Sequence, residues 1–402
     1  MKKGWQTKTI GDVCDVMNGG TPKTGVPEYW DGHHRWITPA EMGKRLSPYV
    51  SDTERKITDL GLRDSSARML PPNSVILSSR APIGHLVINT EPMGTNQGCK
   101  GLIPRSPIET KFLYYYLSSI VDLLNSLGTG ATFKELSGGK LKEVAVPVPP
   151  LAEQQRIVGL LDEAFECLAT AKANAEKNLQ NARALFESHL QSVFTQRGPG
   201  WVEKSFEDVC HKITDGTHHS PKRQFNGRAP GTFPYITSKN IRNNFMDLSN
   251  VAYIERVFHE EVYSRCQPSL GDVLLTKDGA NTGNVTLNTL DEPFSLLSSV
   301  CLIKTNPTVL RPAFLCYYLQ SSAGLSSIIG QMTGAAIKRI VLKDIKKAVI
   351  PFPPLTEQEN FVVKLNSLLE ETQRLARIYE RKHAALEALK KSLLHQAFTG
   401  EL

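Results

Sequence analysis

The stretch that begins at Pro149 occurs twice in the chain. Pro149-Pro150-Leu151 recurs as Pro353-Pro354-Leu355, and Glu153-Gln154 as Glu357-Gln358. Ala184-Leu185 recurs as Ala388-Leu389, and Phe194-Thr195 as Phe398-Thr399, always 204 residues apart. A register kept without insertion over such a length implies a rigid object, because loops tolerate insertions.

That object has the pattern of a long amphipathic helix. Leu161, Ala164, Leu168, Ala171, Ala175, Asn178, Ala182 and Leu185 alternate steps of three and four. Their counterparts are Leu365, Leu368, Thr372, Leu375, Tyr379, Lys382, Leu386 and Leu389. This is a heptad seam. One copy is rich in Ala and the other in Leu and Tyr, so small side chains can face large ones. The polar seam positions Asn178 and Lys382 are expected to fix register. A helix of about 46 residues would span roughly 69 Å. Thr356 with Glu359 has the form of a capping box. Arg197-Gly198-Pro199 and Gly400 read as stop signals. A helix that merely covered its own domain would show a wider apolar face than a two-position seam.

The repeat reaches beyond the helices. Trp5 and Asp12-Val13-Cys14 match Trp201 and Asp208-Val209-Cys210, and Ile37-Thr38 matches Ile236-Thr237. Tyr115-Tyr116-Leu117 matches Tyr317-Tyr318-Leu319. The spacing drifts in loop-like segments alone, so the chain is two copies of one unit: a globular part, then a helix. Within each unit, short apolar runs at 75–77, 86–88, 273–275 and 300–303 read as strands. Residues 111–124 and 312–329 read as amphipathic helices, and 143–148 and 347–351 as closing strands. The expected class is α+β, two tandem repeats built on a curved or barrel-like sheet. The expected boundaries are 1–150 and 198–354 for the globular domains, and 151–197 and 355–402 for the helices.

Composition narrows the class. The 402 residues carry a net charge of +7, which is compatible with nucleic acid but does not by itself imply it. Seven scattered cysteines with no CxxC pair fit reduced thiols and a cytoplasmic protein. Lys2-Lys3 is not followed by an apolar run, so no signal peptide or membrane span is expected.

Several chemistries fail on their residues. Gly20 to Gly25 starts like a phosphate loop, but Val26-Pro27 replaces the required Lys-Ser/Thr. Gly128-Thr129-Gly130 lacks the third glycine of a dinucleotide fingerprint, and Pro71-Pro72-Asn73 has the wrong order for an amino-methyltransferase tetrad. His33-His34 and His218-His219 are adjacent pairs, and neighbours on a strand point to opposite faces, so no metal site is expected. No catalytic residue and no cofactor can be nominated.

What remains is polar, basic loops at equivalent places in two related domains. In the first they supply Asn18, Gly20, Thr21, Lys23, Thr38, Arg80, Asn96, Gln97 and Lys134, with Thr132 and Phe133 beside the last. In the second they supply Thr217, His218, His219, Lys222, Arg223, Lys239, Asn240, Lys277, Lys338 and Arg339. Such side chains read base edges and hold phosphates. The cores and helices match between copies while the loops differ: Gly19-Gly20-Thr21-Pro22-Lys23 stands against Asp215-Gly216-Thr217-His218-His219. A repeated enzyme would repeat its catalytic residues. Two readers of unlike half-sites would differ in this way.

The doubled Pro-Pro-Leu-x-Glu-Gln signature resembles that of the specificity subunits of type I restriction–modification systems. Gly19-Gly20-Thr21-Pro22, Trp36-Ile37-Thr38, Thr214-Asp215-Gly216-Thr217-His218 and the terminal Phe398-Thr399-Gly400-Glu401-Leu402 carry the same resemblance. It implies two target-recognition domains, each reading half of a bipartite double-stranded DNA site. It implies that the two helices pair as an antiparallel coiled coil and set the spacing. It further implies docking of two modification (methyltransferase) subunits and of motor–nuclease restriction subunits, with no catalysis by this chain. Lys172, Lys177, Arg377, Arg381 and Lys382 are expected to line the helices. The alternatives are a coiled-coil scaffold without DNA readout, and a stand-alone methyltransferase or nuclease.

Overall fold

A computed structural model describes residues 4–130, 134–329 and 340–402. The chain divides into two compact units. One comprises Met1–Glu176 with Arg381–Leu402, the other Lys177–Glu380. Each unit thus takes the start of one long helix and the end of the other.

In the first unit, strand Gln6–Thr9 pairs antiparallel with Ala145–Val148, which ties the chain's beginning to the point where the long helix departs. A five-stranded sheet runs in the order Cys14–Asn18, Cys99–Pro104, Val75–Ser79, Ile83–Asn89, Tyr49–Val50. A four-stranded sheet runs in the order Arg55–Ile57, Trp30–Ile37, Met93–Thr95, Met69–Leu70. The second unit repeats the plan. Val202–Ser205 pairs with Val349–Phe352. Val300–Thr305 lies between Cys210–Asp215 and Val273–Thr276, and Thr232–Ile236 pairs parallel with Ser295–Leu296. The expected mixture of strands and helices is present. The strands form several small open sheets in place of one barrel-like sheet. The single helix expected in each unit is broken, into Thr110–Ser119 and Val121–Leu127, and into Pro312–Gln320 and Ser322–Ile329.

The long helices are Leu151–Thr195 and Leu355–Thr399. At 45 residues, each is about 68 Å long. Their starts are locked by the glutamine of the doubled signature. Gln154 donates to Pro107 O at 2.8 Å and Pro149 O at 2.9 Å, and accepts from Glu109 N at 2.8 Å. Gln358 donates to Val309 O at 2.9 Å and Pro353 O at 2.8 Å, and accepts from Arg311 N at 2.9 Å. The capping box expected at Thr356 and Glu359 does not form. Gln358 N already donates to Pro354 O, and Glu359 pairs instead with Arg311, 2.6 Å away.

The helix ends are held by aromatic packing. In the first unit Phe398 packs against Phe112 and Tyr116, with centroids at 5.2 and 5.3 Å. In the second, Phe194 meets Phe314 and Tyr318, both at 5.3 Å. Tyr115 donates to Asp162 Oδ1 and Tyr317 to Asn366 Oδ1, both at 2.5 Å. Gly400, at φ 84°, ends the second helix, and Glu401 N closes it on Gln396 O.

The inward face departs from the strict heptad. From Ile157 to Val193 a row of buried and half-buried positions runs 157, 161, 164, 168, 171, 175, 179, 182, 186, 190 and 193, with further half-buried positions beside it at 158, 162, 165, 172, 191 and 192. The mean step is therefore 3.6, that of a straight helix. Past Ala175 the seam expectation holds at buried Ala182 but fails at two positions: Asn178 is exposed and Leu185 is 52% exposed, while Phe186 and Leu190 are buried. In the second helix Lys382 and Leu389 are likewise exposed, and His383 and Leu394 turn inward. Asn178 and Lys382 therefore do not sit where they could fix register.

Candidate nucleic-acid interface

In the first unit three separate chain segments carrying expected contacts are drawn together. Gly19 N donates to Cys99 O at 3.1 Å, Gly20 N to Thr95 O at 2.8 Å, and Asn96 N to Ile37 O at 2.9 Å. The Trp36 indole donates to Gly20 O at 2.9 Å. Asn96 Nδ2 and Gln97 N both donate to Thr21 Oγ1, and the Thr21 hydroxyl donates to Gln97 Oε1. Gly20 is buried against the 66–67 backbone, where a Cβ would lie 2.2 Å from Ser66 C. It shapes the loop and has no side chain to read with. Thr38 caps the helix Pro39–Met42 by accepting from Glu41 N. Asn18, Lys23, Arg80, Gln97 and Lys134 are exposed. Arg80 lies 4.0 Å from Glu135, which also stands 4.0 Å from the buried Lys100.

The second unit makes the equivalent bracing. Gly216 N donates to Val300 O at 3.1 Å and Thr217 N to Leu296 O at 2.8 Å. A Cβ on Gly19 would meet Asn96 O at 1.9 Å, and one on Gly216 would meet Leu296 O at 2.1 Å. Gly19 therefore corresponds to Gly216, and Gly20 to Thr217. The loop alignment expected from sequence is shifted by one residue.

Three expected contacts face inward: Lys277, Asn240 and Thr217, the last 5% exposed with its hydroxyl accepting from His219 N. Lys277 is 3% exposed, and its ammonium sits 2.9 Å from Asp215 Oδ2. Arg265 holds Asp215 Oδ1 at 2.5 Å, and His218 Nε2 lies 3.3 Å from Oδ2. Burial opposes the Asp215 charge, but the hydrogen bonds from Arg265 and Lys277 outweigh it and lower its pKa below the usual value. Lys277 is thus a tether for the Asp215–Thr217 turn; an ammonium committed to a buried carboxylate does not reach a base. Asn240 is 3% exposed, accepts from Thr237 N and donates to Asp247 O and Asn250 O. It braces its own loop, where a surface contact was expected. His218, His219, Lys222, Arg223 and Lys239 are exposed. Lys338, Arg339, Thr132 and Phe133 lie outside the described residues.

Sequence reasoning passed over one group. Gln224, Asn226, Tyr235 and Asn250 join Lys239 and Thr237 around a cavity of about 410 Å³. Among the described residues, the hydroxyl of buried Tyr235 has no hydrogen-bond partner. No motif marks these residues; the fold alone gathers them.

Loops anchored by backbone bonds to a sheet and tipped with cations and amides are suited to holding phosphates and reading base edges. A family model described as "Type I restriction modification DNA specificity domain" matches residues 2–180 and 199–380. The chain belongs to this family. It is the DNA-recognition subunit of a type I restriction–modification complex and a non-catalytic component of it. Among relatives of this specificity chain is the type I restriction enzyme MjaIX specificity subunit of Methanocaldococcus jannaschii. The two are 25% identical, over 100% of this chain and 94% of the relative. The EcoR124I/EcoR124II specificity subunit of Escherichia coli is 34% identical over 41% of each chain. A chain solved in a study of assembly and conformational transition of the type I R-M system has a TM-score of 0.80 at 20% identity, covering 100% of this chain and 99% of its own. The HsdS subunit of Thermoanaerobacter tengcongensis has a TM-score of 0.63, also at 20% identity, covering 100% and 98%. At that identity both show the shared fold. Among the described residues, no helix is long and apolar enough to cross a membrane.

Proposed function

We propose that each globular unit reads one half of a bipartite double-stranded DNA site, through the loops around Gly19–Thr21, Thr38, Arg80 and Asn96–Gln97 in the first and around Thr217–Arg223 and Lys239 in the second. One observation carries this: the backbone anchors of Gly19 and Gly216 are equivalent, while the exposed side chains beside them differ. Like scaffolds with unlike tips suit two unlike half-sites.

The globular parts are assigned to 1–150 and 198–354, and the connecting helices to 151–197 and 355–402. In this proposal the helices pair as an antiparallel coiled coil and fix the gap between half-sites. Support comes from partners whose numbers fall as the first rises. Within the first unit Arg156 donates to Leu402 O, Lys172 meets Glu387 at 2.8 Å and Glu176 meets His383 at 3.4 Å. Within the second, Arg183 meets Glu380 at 3.2 Å. Two modification subunits dock on the helices, where the equivalent Leu185 and Leu389 are 52% and 48% exposed. Motor–nuclease subunits complete a cytoplasmic assembly.

The test is a domain exchange. Replacing residues 1–150 by those of a relative, then mapping methylated adenines in the host genome, should alter one half-site and leave the other half and the gap unchanged. Both halves changing together would refute the modular reading.

A further inference from the structure

The strand Trp30–Ile37 contains a deformation that DNA reading does not use. Trp30 and His34 both register with Ile57, so residues 31–33 bulge out of the pairing. Asp31 sits at φ 59°. Gly32 passes so close to the neighbouring backbone that a Cβ would fall 2.5 Å from Ile57 O and from Thr58 Cα. A bulge with one residue in the left-handed region and a glycine-only approach is costly, and bulges of this kind re-aim side chains.

What this bulge re-aims is a pair of imidazoles. On a regular strand His33 and His34 would point to opposite faces. Here their ring centroids are 4.1 Å apart, with the planes at 41°. Asp59, the first residue of the helix Asp59–Arg63, faces both: its Oδ1 is 2.8 Å from His34 Nε2 and 3.7 Å from His33 Nε2. The helix start is itself pinned, since Thr58 N donates to Tyr29 O at 3.1 Å and the Thr58 hydroxyl to Glu28 O at 2.7 Å.

We propose that His33, His34 and Asp59 form a binding site for a divalent transition ion of the zinc type. All three ligand atoms lie within 4.8 Å of one another. Ligands at about 2.1 Å from a tetrahedral zinc are about 3.4 Å apart, so small side-chain rotations complete the set. Two imidazoles and a carboxylate suit zinc, nickel or copper over magnesium or calcium, which prefer all-oxygen cages. His33 and Asp59 are 70% and 82% exposed, so the ion has an open route and keeps solvent in its remaining position. Once bound, it would clasp the strand leading to Trp36 and Thr38 against the helix at Asp59. This site goes beyond the DNA-reading proposal and does not depend on it.

The test uses the full chain stripped of metal. Calorimetric titration with zinc should show a single equivalent bound, and cobalt should give the visible d–d absorption of a low-coordinate nitrogen and oxygen site. His33→Gln leaves the His34–Asp59 hydrogen bond intact and should keep the fold, yet weaken zinc by at least about tenfold. Asp59→Asn should do the same, and a His218→Gln/His219→Gln control should not. Zinc should also slow amide exchange over residues 55–63. Equal zinc and cobalt binding by His33→Gln, Asp59→Asn and the unaltered chain would mean an adventitious ion only, and would overturn the site. So would the absence of any cobalt band.

Discussion

The side-chain amides of Gln154 and Gln358 occupy equivalent environments, both fully buried, and each joins two carbonyls and one backbone N–H of its own unit. These three hydrogen bonds are what the glutamine of the doubled signature supplies. It clamps a long helix to the loop before the helices at Thr110 and Pro312, and so fixes the helix's direction of departure. Gln154→Leu keeps the bulk but strands three polar backbone groups. It should cost about 2–4 kcal/mol in denaturant unfolding, and Gln358→Leu a similar amount. The two sites share no residues, so the double variant should lose the sum to within about 0.5 kcal/mol. A loss near zero in either would mean that solvent enters and satisfies those groups.

Lys277 is separable from the cations proposed to meet DNA. Its ammonium is spent on Asp215, whereas Lys239 is exposed. Lys239→Ala should flatten the salt dependence of DNA binding by about 0.9 in log–log slope, the signature of one lost phosphate contact. Lys277→Gln should weaken binding to the second half-site without changing that slope, because it loosens the Thr217 turn. Breaking such a buried pair also costs about 3–5 kcal/mol of stability. A slope change in Lys277→Gln equal to that of Lys239→Ala would make it a phosphate ligand after all.

The pattern of failures in the sequence reading has a physical order. The long helices and the doubled glutamine were legible because both depend on local periodicity and on a repeat without gaps. The capping box misled because Arg311, distant in sequence, captures Glu359. The heptad misled past Ala175 because a straight helix drifts off a seven-residue repeat. Lys277 and Asn240 looked like surface contacts because burial is decided by segments far away in the chain. His33 and His34 looked divergent because a bulge cannot be seen in a string of residues. At the candidate interface, the string of residues did not show which of the nominated side chains point outward.

Phe398, half-buried, packs against the core of the first unit from the far end of the second long helix. It touches Phe112 and Tyr116, beside buried Leu394 and Ala397. Phe398→Ala should destabilise the first unit by about 2–4 kcal/mol, as for other large-to-small aromatic losses. Phe194→Ala should do the same to the second, where Phe194 is 1% exposed. Hydrogen exchange resolves the two effects: each variant should speed exchange in its own unit alone. Acceleration in the opposite unit would assign these aromatic caps wrongly.

His259 should make the second unit sensitive to mild acid. Its ring stacks on Phe233 at 3.9 Å, and Nδ1 lies 2.9 Å from Ser295 Oγ. Burial, with some help from Arg256, lowers its pKa below the usual value against an opposing pull from Glu260. The folded state therefore favours the neutral ring, while the unfolded chain takes up a proton near the ordinary value of about 6.5. Stability is fully present above that value. It falls as pH drops toward the folded pKa, and levels off below it. His259→Phe keeps the stack and removes the titration, so the difference in unfolding free energy between the natural chain and this variant should change between pH 7 and 5, with the natural chain losing more. An NMR titration should place the His259 midpoint below about 6.5. A midpoint above it, or parallel pH profiles for the two proteins, would show that folding does not depress the ring's affinity for a proton.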